Sequence, residues 1–180
     1  MPGLRGKLKT ATEVAHRSLD ARFASYDLTR LNGYRRFLEA NAAALLPLET
    51  ALEKSGVADV FADWPERSRR SAIEADLEAT WGLVNPLPDV APMNRAEMLG
   101  TMYVLEGSRL GAKYMMRHLA SCQEPRILSA TRYLRHGEGW PLWRTFLETL
   151  EREPVTAEGE AGMISAAERT FAMFAKAAGA

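Results

Sequence analysis

Most of what would mark this chain as secreted, membrane-bound or nucleic-acid-binding is missing from it. A single cysteine, Cys122, in 180 residues excludes an internal disulfide and suits a reducing compartment. With no obvious His or Cys partner it reads as chemically inert. Lys plus Arg and Asp plus Glu both number 23, so the formal net charge is zero, and no global field points to nucleic acid or to a membrane surface. No uninterrupted apolar run approaches the ~18 residues that span a bilayer. The opening MPGLRGKLKTATEVAHRSLD is charged throughout and lacks the apolar centre of a secretory signal. These absences place the protein in the cytoplasm by expectation. No alternating strand pattern is evident, and no Gly-rich phosphate loop follows a strand.

Helical periodicity fills the space. Leu4, Leu8, Ala11, Ala15 and Leu19 recur at steps of three to four and give a first helix its apolar face. A second helix is expected from about Tyr34 to Lys54, kinked or divided by Pro47. A third opens at Pro65 and runs to Trp81-Gly82. Pro86, Pro88 and Pro92 make Asn85 to Asn94 a loop. Helical pattern resumes from Arg95 to about Ala120, and again over Ile127 to Arg135, Pro141 to Pro154 and Glu160 to Ala177. With no repeat, linker or low-complexity tract, residues 1–180 read as one all-α domain of about seven helices.

Only three histidines are present, and His16 is the informative one. At about 3.6 residues per turn, Lys9 lies two turns before it on nearly the same face, about 10 Å away along the axis. Thr12 and Glu13 occupy the turn between, and Asp20 follows one turn later. That spacing suits an imidazole on a porphyrin iron with an ammonium at a propionate. It equally suits a partly exposed helical histidine among ordinary charges. Glu13-x-x-His16 is also half of a di-iron pattern, but Met115 and Tyr133 stand three residues before His118 and His136, so the second half is missing.

The second constellation is the run from Gly100 to Lys113, with Gly107 and Gly111 one turn apart on one face. Glycine inside a helix costs roughly 1 kcal/mol relative to alanine. The spacing permits close approach of another group and a bend that frees backbone groups; close helix packing or a helix break explains it as well. Met98, Met102, Met115 and Met116 read as core, His118 and His136 as surface or loop, and Arg67, Arg69 and Arg70 as a solvated helix face.

Taken in order along the chain, these segments resemble the biliverdin-forming heme oxygenases of Gram-negative bacteria. Leu4-Arg5 and Ala11-Thr12-Glu13-Val14-Ala15-His16-Arg17-Ser18-Leu19-Asp20 look like the family's proximal helix. Tyr34-Arg35-Arg36-Phe37-Leu38, Leu46-Pro47-Leu48-Glu49 and Glu74-Ala75-Asp76-Leu77 follow. Tyr103-Val104-Leu105-Glu106-Gly107-Ser108-Arg109-Leu110-Gly111 looks like the distal helix. Ala130 to Leu134, Trp143 to Leu147 and a closing helix with Phe171 and Phe174 complete the likeness. Two departures stand out: Ser108 where some relatives carry aspartate, and Gly111-Ala112 where many carry Gly-Gly.

The resemblance implies a heme held between the two helices, ligated by His16 and faced on the distal side by Gly107, Ser108 and Gly111. It places Lys9, Thr12, Glu13, Asp20, Tyr103, Arg144 and Phe171 around the heme, with Lys9 and Arg144 at the propionates. The implied reaction is O2- and electron-dependent opening of heme to biliverdin, CO and ferrous iron, heme being both substrate and cofactor. No flavin or dinucleotide fingerprint is present, so electrons come from an external donor such as a ferredoxin or a reductase. The likeness leans to the phytochrome-associated branch, which would make a phytochrome the acceptor of biliverdin. The alternative is a protein of the same fold that stores or senses heme without degrading it.

Overall fold

The computed structural model describes residues 3–179, and every regular element in that range is helical. In chain order these are α1 (Leu4–Ala24), α2 (Leu31–Lys54), the short α3 (Val57–Val60) and α4 (Trp64–Arg67), α5 (Arg70–Thr80), α6 (Arg95–His118), the short α7 (Pro125–Ser129) and α8 (Arg132–Arg135), α9 (Leu142–Arg152) and α10 (Ala157–Ala178). A 3-10 turn, Leu119–Ser121, extends α6. No helix among the described residues is long and apolar enough to cross a membrane.

The helices outnumber the seven that periodicity suggests because two expected ones are broken, and each break has the same cause. Buried Glu49 on α2 accepts hydrogen bonds from the Ser68 hydroxyl (2.6 Å), the Arg69 amide (2.8 Å) and the Arg70 amide (3.2 Å). It thereby caps α5 and separates it from α4. Asp76 on α5, fully buried, accepts from the Arg132 and Tyr133 amides at 3.1 and 2.8 Å and starts α8 afresh after α7. Each carboxylate satisfies amides that a helix N-terminus leaves without partners. α3 is a further turn that the periodicity did not announce.

α2 is the centre of the molecule, with Tyr34, Phe37, Leu38, Ala42, Ala44, Leu45, Leu48 and Leu52 all buried. Pro47 does not divide it. The ring removes the hydrogen bond to the Ala43 carbonyl, and the amide of Leu87, from the proline-rich loop, donates to that carbonyl at 2.9 Å instead. The loop thus replaces the bond that Pro47 cannot make.

α10 packs against α1, α2 and α6, so it sets the spacing of the other long helices. The approach to α6 is closest at Gly100, where a Cβ atom would fall on the Met163 carbonyl and crowd the Ala166 side chain. Gly162, one residue earlier on α10, faces open space. Gly100→Ala should therefore destabilise the fold by about 1–2 kcal/mol, overpacking outweighing the gain in helix propensity. Gly162→Ala should stabilise it by up to about 1 kcal/mol. Thermal or urea unfolding of the two variants checks the pair. A Gly100→Ala midpoint at or above the parent's would mean that the two backbones are not in contact.

Candidate active site

α1 buries Leu8, Thr12, Leu19 and Phe23, which turns Lys9, Glu13, His16 and Asp20 outward together. The His16 side chain is 60% exposed, and its Nδ1 lies 2.9 Å from Asp20 Oδ2. A carboxylate beside Nδ1 favours the proton on that nitrogen, leaves the Nε2 lone pair for a metal, and fixes the ring's orientation. The ring also stands edge-on to Phe171 of α10, centroids 5.7 Å apart, and Phe171 is itself buried. Lys9 and Glu13 are exposed. Among the described residues no cluster of three or more His, Cys, Asp or Glu side chains is placed to hold a metal ion.

α6 divides into two unlike halves. From Met98 to Glu106 all residues but Tyr103 are buried; from Gly107 to His118 none is. The helix runs unbroken through all three glycines, so no backbone group is freed there by a break. A Cβ at Gly107 would make only ordinary contact with Trp143, at 3.7 Å, and one at Gly111 would meet nothing within 4 Å. Gly100 is thus explained by helix packing, whereas Gly107 and Gly111 are not. Among the described residues nothing requires a glycine at either position.

The two helices meet at Thr12 and Tyr103. Thr12 is buried and its hydroxyl donates to the Leu8 carbonyl at 2.8 Å. Burial pushes the Tyr103 phenol up, opposed by the Thr12 hydroxyl and the Arg5 guanidinium. The Tyr103 ring lies 5.8 Å from that of Trp143 on α9. His16 is one turn beyond Thr12 and Gly107 one turn beyond Tyr103. Arg144, also on α9, is exposed and 3.9 Å from Glu148.

Behind α6 lies a buried ionic cluster that sequence reasoning missed. Arg67 and Arg69, expected on a solvated face, are 2% and 3% exposed; Arg70 alone reaches partly into solvent, 3.3 Å from Glu53. The bend capped by Glu49 is what turns the first two inward. Arg67 Nη1 donates to Glu106 at 3.0 Å and to the Leu142 carbonyl at 3.0 Å. Arg109 donates to both Glu106 oxygens at 3.0 Å. Arg69 donates to the Ser108 hydroxyl at 2.9 Å and to the Leu105 carbonyl at 3.0 Å. The Ser108 hydroxyl in turn donates to the Leu105 carbonyl at 2.7 Å, so its proton is already engaged. The one signal in the sequence was Glu106 itself, a carboxylate within an otherwise apolar helix face.

His136 belongs to this cluster and not to the free surface. Arg109 Nη1 donates to its Nδ1 at 3.0 Å, and burial beside Arg109 and Arg69 lowers its pKa to about 4. The unfolded chain therefore binds a proton below about pH 6.5 that the folded protein refuses until about pH 4. The stabilisation is complete above that window and is lost as pH falls through it. The unfolding midpoint should accordingly rise with pH between about 4 and 6.5, and His136→Gln should flatten the rise. Parallel pH profiles for parent and variant would count against a neutral, buried His136.

Residues 3–179 match the family described as heme oxygenase. A heme oxygenase of Xanthomonas campestris pv. campestris is 29% identical over 142 residues, 78% of this chain and 86% of its own. Heme oxygenase PigA of Pseudomonas aeruginosa is 27% identical over 186 residues, 92% of each. The NO- and CO-bound heme oxygenase from Neisseria meningitidis shares the fold with a TM-score of 0.82 at 21% identity, over 99% of this chain and 91% of that one. Heme oxygenase from Leptospira interrogans gives a TM-score of 0.67 at 17% identity, over 98% of both chains. The all-helical frame, its order of elements and a match running from residue 3 to residue 179 agree, and the chain belongs to the heme oxygenase family.

Proposed function

We propose that this chain opens heme to biliverdin, CO and ferrous iron, taking the heme between the outward face of α1 and the second half of α6. The observation that carries the reading is the pair of surfaces left bare. An imidazole held by Asp20 stands with most of its side chain exposed, and no atom among the described residues lies within 4 Å of where a Gly111 Cβ would be. A neutral imidazole suits this work because it lacks the strong push towards O–O cleavage that a thiolate gives. Bound heme supplies the iron centre at which O2 reacts.

The roles of the residues follow from chemistry and placement. His16 holds the iron, Asp20 orients His16, and Phe171 is the apolar wall beneath the ring. Gly107 and Gly111 keep side chains out of the distal space, and Ser108 fixes Arg69 and the helix backbone beside it. Lys9 and Arg144, both exposed cations, take the propionates. Tyr103 and Thr12 close the slot where the helices meet, with Glu13 at its rim. Residues 1–180 act as one cytoplasmic domain. They receive electrons from an external donor such as a ferredoxin or reductase and pass biliverdin to an acceptor such as a phytochrome.

The primary test is heme titration followed by addition of a reduced ferredoxin in air. Turnover bleaches the Soret band and leaves a bilin spectrum, whereas a heme-storing protein of this fold would leave the band in place. His16→Ala should change the bound-heme spectrum and lower turnover sharply, with partial recovery on adding imidazole; degradation at the parent rate would exclude His16 as the ligand. On the distal side, Gly111→Leu should abolish turnover with helix content kept. Ser108→Ala should retain most activity, losing hydrogen bonding of about 1 kcal/mol. A folded, heme-loaded Ser108→Ala with no turnover would show that the hydroxyl itself delivers the proton.

A further inference from the structure

A groove of about 520 Å3 opens on the flank of α6 that faces away from Gly107 and Gly111. At about 3.6 residues per turn, Arg109, Lys113 and Met116 share that flank, opposite the glycines. The walls are apolar: Leu110, Met116, Leu128, Leu134, Trp140 and Trp143. Leu110, Leu128 and Trp140 are 50%, 51% and 57% exposed, so three of the molecule's large exposed apolar side chains gather in one concavity. Such clustering marks a ligand surface far more often than scattered exposure does.

The rim is cationic. Arg109 and Arg135 are spent on Glu106 and Glu138. Lys113 and Arg117 have no carboxylate partner among the described residues; Arg117 lies over the exposed Tyr114 ring, 5.7 Å from its centroid. As an i, i+4 pair their side chains begin about 6 Å apart on one face. An apolar trough with two adjacent cations that lack carboxylate partners complements an amphipathic dianion whose two carboxylates leave from neighbouring positions. An open-chain tetrapyrrole has that form, with its two propionates on adjacent rings. Trp143 is a wall of this groove and also stands 3.7 Å from the position of a Gly107 Cβ, so groove and heme slot share a partition.

We propose that this groove is a second tetrapyrrole site, which takes up the open-chain dicarboxylate product outside the heme slot. The assignment rests on the heme-cleaving reading for the identity of the product. It does not rest on it for the groove's chemistry. A product held here would leave the slot clear for the next heme.

The test is equilibrium dialysis of biliverdin against the heme-loaded protein, in which the slot is filled. One equivalent of biliverdin should be retained. The double reversal Lys113→Glu/Arg117→Glu should weaken that binding tenfold or more, and Trp140→Ala should weaken it as well. Neither should alter the Soret band of bound heme. Retention of no biliverdin by the heme-loaded protein would overturn the proposal, as would retention unchanged by the reversal. Displacement by laurate at equal concentration would overturn the tetrapyrrole assignment in favour of a general lipid groove. Biliverdin retained in a charge-dependent way by a protein that never turns heme over would support the groove and sink the active-site reading alone.

Discussion

Glu106 is the fixed point of this molecule. A carboxylate in the buried half of an apolar helix is tolerated only if cations and hydrogen bonds replace the water it has lost. Here Arg67 reaches it from α4 at 3.0 Å, and Arg109 grips both its oxygens from the next turn of α6. Those guanidiniums also hold backbone carbonyls: Arg67 that of Leu142 at the start of α9, Arg109 those of Arg67 and His136. One buried charge therefore ties together α4, α6, the loop after α8 and the first turn of α9. Removing it would leave buried Arg109 without a carboxylate and Arg67 with Asp63 alone, a heavier penalty than losing the pair's own attraction. Because the cluster sits at the end of the buried half of α6, it also fixes where that helix leaves the core and its glycine-bearing half begins.

The glycines of α6 show how one residue type serves two ends on one helix. Gly100 lies where α10 crosses so closely that a methyl group would meet backbone. Its absence of a side chain is a matter of internal fit, and any protein with this crossing would need it. Gly107 and Gly111 carry the same cost in helix stability, about 1 kcal/mol each against alanine, without any neighbour that demands it. The distinction cannot be drawn from spacing, since both kinds fall on helical repeats; it comes from what surrounds each position.

How much could be read in the sequence divides along the same line between local and distant causes. The all-α class, the long helices, the proline-rich loop and the outward set Lys9, Glu13, His16 and Asp20 follow from periodicity, and the structure places them so. What escaped was decided by side chains far away in sequence. Glu49 stops α4 and restarts α5 from about twenty residues upstream, and Asp76 does the same for α8 from more than fifty. Leu87 supplies the bond that keeps α2 whole at Pro47. Arg67 and Arg69 look like surface residues until Glu106, Ser108 and the Leu105 carbonyl are brought against them. His136 looked like a loop residue for the same reason. The groove behind α6 was invisible because four separate segments wall it.

The unequal halves of α6 bear on how the site works. Its first half is clamped by α10 and by the ionic cluster, so the backbone there has little freedom. Its second half, from Gly107 to His118, has no fully buried residue and carries two glycines, and beyond its own hydrogen bonds it is tied mainly through Ser108 and Arg109 at its start. Local stability follows buried contacts, and the glycine half is therefore the looser one. α1 is anchored differently: Leu8, Thr12, Leu19 and Phe23 face the core along its whole length, and Tyr26 just beyond it donates to the Ala178 carbonyl at 2.8 Å. α1 is thus the more firmly seated of the two helices, and the glycine half of α6 the looser. A ligand taken up between them, as proposed above, would meet one firm face and one looser face. Any ligand that binds only the folded state adds stability by mass action, about 2.7 kcal/mol at a hundredfold excess over Kd. Here that gain would fall where the bare chain has least packing of its own.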